Sequence, residues 1–164
     1  LISLERLKEV LDYNPETGLF IWKISTGCIS KGNVAGCPCK KHNYRLIRID
    51  KVLYRANRLA WFYMTGEWPE NDIDHKDTDK LNDKFENLRP ATRLQNQGNH
   101  NLSKRNSSGF KGVHWSKRHN RWVVKVGQNY VGEFLNLTDA ALAYNKAAKS
   151  YFGEEFARIN ENVN

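Results

Sequence analysis

The section from Glu70 to about His100 limits what this chain can become. It is polar, and inside it Ile73 and Leu88 anchor two short strands around a loop rich in Asp, Asn and Lys (NDIDHKDTDKLNDKFENLRPATRLQN). Thr92 is an N-cap for a helix running through Leu94 and Asn96. The order there is therefore strand, loop, strand, helix.

The flanking sections have hydrophobic patterns of their own. From Leu1 to about Pro69, Leu4, Leu7, Val10 and Leu11 recur at helical spacing, and YNPETGLFIWK reads as a turn at Asn14–Gly18 followed by a strand. YRLIRIDKVLYRA alternates as a hairpin with its turn near Asp50–Lys51, and NRLAWFYMTGEWP is a short helix stopped by Gly66 and Pro69. Beyond the polar section, GNHNLSKRNSSG (Gly98–Gly109) has no hydrophobic period and reads as a flexible linker. FKGVHWSKRHNRWVVKVGQNYVGEFL then holds three strand-like runs, broken at His119–Asn120 and Gly127–Gln128–Asn129. TDAALAYNKAAKSYFG is a helix capped by Thr138 and ended by Gly153. Its small residues, among them Ala140, Ala141 and Ala148, let it lie close on a sheet.

Charge points to the partner. The 164 residues carry a formal net charge of +8. Leu88 to Gly132 contains no Asp or Glu but nine basic residues, and acid-free Thr17 to Ile49 carries six more. Solvated surfaces normally mix signs, so this segregation faces a polyanion, either nucleic acid or an acidic membrane surface. No apolar run is long enough to span a membrane and no signal-peptide pattern opens the chain, so a cytoplasmic protein is expected, and a monomer is expected over an obligate oligomer. Cys28, Cys37 and Cys39 make no even disulfide framework. With His42 they could bind a structural Zn²⁺, although the spacing matches no common zinc module and reduced thiols are the plainer expectation.

The polar section has the chemistry for cutting a phosphodiester. That reaction needs a proton taken from water, neutralised charge and a stabilised leaving oxygen. A neutral His can take the proton, and oxygen donors can hold a hard cation. Asp74–His75 supplies one of each, Asn87 follows twelve residues after His75, and Asn96 lies beyond Thr92. Asp and Asn oxygens suit Mg²⁺ or Mn²⁺ better than zinc. Adjacent strand residues face opposite ways, so Asp74 and His75 can share a site only if the strand ends or twists there. Asp77, Asp79 and Asp83 read as solvated loop carboxylates; a calcium loop would need a Gly and a terminal Glu that are absent.

Asp74–His75, Asp77, Asp79, Asn82, Asn87–Leu88–Arg89, Ala91–Thr92 and Asn96 resemble, in order and spacing, the phage and homing branch of the HNH endonucleases. The resemblance implies a ββα-metal fold with His75 as general base, Asp74 and Asn96 as ligands of one metal ion, and Asn87 bracing the loop and orienting His75. The preceding YRANRLAWFYMTGEWP is similar to that family's entry segment, with Asn57 where His is usual. Within the loop, Lys76 replaces a common aliphatic and Thr78 a common Gly.

Gly109–Phe110–Lys111–Gly112–Val113, Arg121–Trp122, Val131–Gly132–Glu133–Phe134, the alanines of the last helix and Ala157–Arg158–Ile159–Asn160 resemble the DNA-binding domain of plant APETALA and ethylene-response factors. This implies a three-stranded antiparallel sheet backed by one helix, the sheet entering the major groove. Lys111, His114, Ser116, Arg121, Lys125 and Tyr130 would be its readers, with Lys104 and Arg105 of the linker tracking the backbone. Trp122 and Phe134 read as core, and Trp115 as either. The fold class is thus α+β: an N-terminal segment and nuclease core over 1–100, a linker over 101–109 and a DNA-binding domain over 110–164. The expected function is a DNA endonuclease, of phage or homing type, with double-stranded DNA as its partner. The alternatives are a DNA-binding regulator that never cuts and a basic RNA-binding protein.

Overall fold

Local signals account for most elements of the computed structural model, which describes all residues except Thr26, His42, Asn162 and Asn164. Contacts divide the chain into Leu1–Ala91 and Thr92–Asn164. The described residues form four α-helices and four small sheets, a mixed α and β architecture.

In the first unit, the Ser3 hydroxyl accepts from the Arg6 amide and caps α1 (Leu4–Val10). Leu11, expected on that helix, instead begins β1 (Leu11–Asn14), paired antiparallel with β2 (Leu19–Trp22) through Leu11 and Trp22. Its backbone serves the ladder while its side chain still enters the core. The turn between them is tied by Asn14 Oδ1, which accepts the amides of Glu16 and Thr17. Strands β3 (Cys37–Pro38), β4 (Arg45–Ile49) and β5 (Val52–Arg55) form a sheet in that order. The β4–β5 turn is at Asp50–Lys51 as expected, both at positive φ, the geometry a tight hairpin demands. Helix α2 (Ala56–Thr65) ends at Gly66 in the left-handed region. Strands β6 (Asp72–His75) and β7 (Leu88–Ala91) pair across the polar loop, with a 3₁₀ turn at Phe85–Asn87. Leu7, Leu11, Phe20, Ile47 and Leu59 are fully buried in this unit's core, and Ile73 and Leu88 join it, which anchors both strands of the polar section.

The second unit opens with α3 (Arg93–Gly98), whose N-cap Thr92 and Gln95 make a reciprocal capping box. Strands β8 (Val113–Ser116), β9 (Arg121–Val126) and β10 (Asn129–Phe134) follow as an antiparallel sheet in the order β10-β9-β8. Helix α4 (Leu137–Phe152) lies on one face of it. The cap position of α4 is Asn136, not Thr138, which lies inside the first turn; Asn136 Nδ2 donates to Asp139. At Gly112 it is the sheet side that gives way, since a Cβ there would stand 2.1 Å from the Tyr144 ring.

The Gly98–Gly109 stretch is tied down at both ends, so it is no free tether. Gly98 is buried and its carbonyl accepts from Lys111 Nζ at 2.6 Å and from the Arg158 amide at 3.1 Å. Asn106 Nδ2 and Ser108 Oγ donate to the carbonyls of Phe110 and Val113. Among the described residues no helix is long and apolar enough to cross a membrane.

Candidate active site

Strand β6 stops at His75, and a turn closes at once, with the Thr78 amide on the His75 carbonyl at 2.9 Å. Asp74 and His75 both stay in the paired strand, opposite Arg89 and Leu88, so the break that a shared site would need comes only after His75. On the other side, the buried Asn57 donates from Nδ2 to the Ile73 carbonyl at 2.9 Å. An amide thus ties α2 to β6 just ahead of Asp74, at the position where the resembling family usually has His.

Asp74 and His75 are both buried, and each has a charged or chargeable neighbour. Register sets Arg89 directly across from Asp74, and its Nε and Nη2 both donate to Asp74 Oδ2, at 3.0 and 2.9 Å. His75 Nε2 lies 2.9 Å from Asp83 Oδ1. Asp83 is 1% exposed, which corrects its expected place among solvated loop carboxylates. Burial pushes its carboxyl up from the ordinary value, while His75 and then Arg45 pull the other way and offset only part of it. Its backbone is held from the N-terminal hairpin: the Tyr13 hydroxyl donates to the Asp83 carbonyl at 2.7 Å. Gly18, at φ 72°, presses so closely that a Cβ would sit 2.5 Å from the Asp83 carbonyl carbon.

Asn87 braces the loop in four ways. Its Oδ1 accepts the Asp77 amide, its Nδ2 donates to Asp77 Oδ1 and to the Asn82 carbonyl, and its own carbonyl accepts the Lys76 amide. Burial works to raise the Asp77 carboxyl, but the amides of Asn82 and Asn87 and the backbone of Asp79 outweigh it and hold it below the ordinary value. Thr78 sits at φ 71°, a left-handed conformation unusual for a β-branched residue, which accounts for glycine being common there in the family it resembles.

Tyr44 stands beside the pair, its ring centre 6.0 Å from that of His75. Two exposed cations approach the same ring, Arg55 at 4.6 Å and Lys80 at 4.8 Å from its centre. Neither pairs with a carboxylate among the described residues. Sequence reasoning passed over Asp83, Tyr44, Arg55 and Lys80, and no spacing signal singles them out.

Asp74, His75 and Asn87 all lie in the first unit, where Asp74 meets Arg89, His75 meets Asp83 and Asn87 meets Lys76, Asp77 and Asn82; Asn96 lies on α3, in the second. No group of three or more His, Cys, Asp or Glu gathers as a metal site would among the described residues. Cys28 and Cys37 are exposed and Cys39 half-buried, all as free thiols, and the fourth residue of the zinc expectation, His42, lies outside the described residues.

In the second unit, strand register sets His114, Ser116, Arg121, Lys125 and Tyr130 on the sheet face opposite α4. Lys104 and Arg105 are exposed. Lys111 is apart from them: half-buried, it spends its ammonium on the Gly98 carbonyl, and burial followed by Arg158 pulls it down to about 8. Glu133, unforeseen, shares the outer face opposite Val123 and is hydrogen-bonded to His119. Trp115 stands opposite Trp122 on the helix-side face and meets it edge-on, 5.0 Å between ring centres.

Residues 54–97, the span from β5 through α3, match the family profile described as HNH endonuclease. Protein 3.8 of Escherichia phage T7 is 40% identical over 116 residues, which cover 66% of this chain and 95% of that protein. No solved structure matches. With nearly all of that phage protein covered at this identity, the chain belongs to the family of phage T7 Protein 3.8, and its residues 54–97 are an HNH endonuclease segment.

Proposed function

We propose that this protein is a DNA endonuclease of phage or homing type, acting in the host cytoplasm and hydrolysing phosphodiester bonds by a one-metal mechanism. The observation that carries the reading is the buried imidazole of His75, held at the end of β6 against the Asp83 carboxyl. His75 would take the proton from the attacking water. Asn87 keeps the loop closed over the strand end. Arg55 and Lys80, standing on Tyr44, would meet the phosphates that pass His75.

The donor chemistry fits a hard divalent ion. The oxygen donors that the family resemblance implies, Asp74 and Asn96, would suit Mg²⁺ or Mn²⁺ better than zinc. In the ββα-metal arrangement that the resemblance implies, such an ion would supply charge neutralisation at the phosphate and at the leaving 3′-oxygen. Products would carry 5′-phosphate and 3′-hydroxyl ends.

The second unit would grip duplex DNA with the outer face of β8–β10, as a factor-like domain does, with Arg121 and Lys125 on base edges or phosphates and Tyr130 packing on a sugar or a thymine methyl. His114 and Ser116 share that face, and Lys104 and Arg105 would follow the backbone. Lys111 is withdrawn from this set by its bond to Gly98.

One observation favours a second reading, a DNA-binding regulator that does not cut: the Arg89 guanidinium already neutralises Asp74. Cleavage of plasmid and phage DNA in Mg²⁺ and Mn²⁺ separates the two. We expect wild type to nick or cut, and His75→Ala to bind DNA equally and leave it intact. Identical plasmid profiles for both proteins in both metals would leave the regulator.

A further inference from the structure

Two carboxylates of the loop, exposed Asp77 and buried Asp83, are used differently. Asp77 accepts from Asn82, Asn87 and the Asp79 amide, and so binds the loop to itself. Asp83 makes none of these bonds. Its Oδ1 meets His75 Nε2, and its buried Oδ2 has no hydrogen-bond partner among the described residues. Burying a carboxylate is expensive unless its partners return the loss, and a buried oxygen without one adds to that expense. The fold nevertheless presses Asp83 into place from both sides, with the Tyr13 hydroxyl on its carbonyl and Gly18 against its backbone. A side chain so placed, engaging one imidazole, governs that imidazole.

We propose that Asp83 is the positioning residue of His75. An ionised carboxylate can only accept, so it holds the proton on Nε2 and leaves the lone pair of the neutral ring on Nδ1. Nδ1 is then the atom that receives the proton from water, and the ring cannot rotate away without leaving a buried charge unpaired. The catalytic half of this statement rests on the endonuclease reading; the tautomer does not.

Nitrogen-15 NMR of the His75 ring tests the tautomer directly, and steady-state cleavage tests its use. We expect wild type to carry the Nε2–H form. In Asp83→Asn, which keeps the volume, the amide can turn its NH₂ toward the ring and so permits the Nδ1–H form. Cleavage should then fall on the order of 10²-fold or more in kcat, with KM for DNA within about twofold. A wild-type ring in the Nδ1–H form, or an Asp83→Asn enzyme with unchanged kcat, overturns the proposal even if the protein cuts DNA. An Nε2–H ring that shifts in Asp83→Asn, in a protein that never cuts, upholds the positioning and sinks the endonuclease reading instead. Should Asp83→Asn fail to fold, the wild-type spectrum and Tyr13→Phe decide in its place. Loosening the Asp83 backbone should lower kcat without raising KM, and an unchanged kcat there counts against the proposal.

Discussion

The two units handle polar groups in opposite ways. In the first, Asn57, Asp74, His75, Asp83 and Asn87 are all buried, and Arg89 and Asp77 reach in to meet them. In the second, Asn99 is the one polar residue in the buried class among the described residues, and the basic side chains of the sheet stand on its outer face. Charges placed inside are costly, fixed in direction and strong in their mutual effect, which suits moving a proton. Charges placed outside are screened and adaptable, which suits holding a polyanion along its length. Removing a charge should therefore damage the two units in different currencies: folding in one, affinity in the other.

The sharpest test of that contrast is Arg89→Leu. It takes the guanidinium away from the buried Asp74 carboxylate, and should destabilise the protein by about 3 kcal/mol in chemical denaturation. A loss near zero would erase the distinction between the units.

Lys111 is the exception inside the second unit, a cation drawn inward, and its pH response checks the comparison. Its ordinary value of 10.5 falls to about 8 in the folded chain. Below about pH 8 the ammonium is charged in both folded and unfolded chains, and the burial penalty is carried in full. Between about 8 and 10.5 the unfolded chain binds more protons, so stability rises with pH, by on the order of 2 kcal/mol across the window. Wild type should gain on Lys111→Met over that range in parallel melts; a constant difference would return Lys111 to the surface.

Thr78→Gly relieves a left-handed β-branched residue in the loop of the first unit. It should stabilise by about 1 kcal/mol, the strain recovered less the glycine's greater unfolded entropy. A destabilised variant would mean that the threonine side chain matters more than its backbone.

The smallest effect on folding belongs to the outer face. Arg121→Ala and Lys125→Ala should each shift stability by less than about 0.5 kcal/mol while lowering the salt slope of DNA binding by about 1. An unchanged slope would move the DNA grip elsewhere.

Much of the candidate site was legible beforehand because its signals are short in range. The end of β6 at His75, the Thr92 cap and the Asn87 brace each depend on residues within a dozen positions, where spacing speaks for geometry. Thr138 was misjudged as a cap because Asn136 offers an equally good local signal two residues earlier. Leu11 was misjudged because an apolar residue at helical spacing fits a strand start equally well.

By itself, the sequence determined most of the helices and strands, the turn at Asp50–Lys51, the segregation of positive charge and which residue types stand ready for hydrolysis. Tertiary structure alone decided which of several similar loop aspartates would be buried. Asp83 is set apart from Asp77 and Asp79 by Tyr13 and Gly18, about 70 positions away in the chain, and by nothing in its neighbourhood. It likewise withdrew Lys111 from the basic face by setting the Gly98 carbonyl within reach of its ammonium. Local patterns fix what a residue can do, because propensity, capping and turn chemistry act over a few bonds. Burial and partnership arise only when distant segments close on one another, and at this site those are what separate a reacting group from a solvated one.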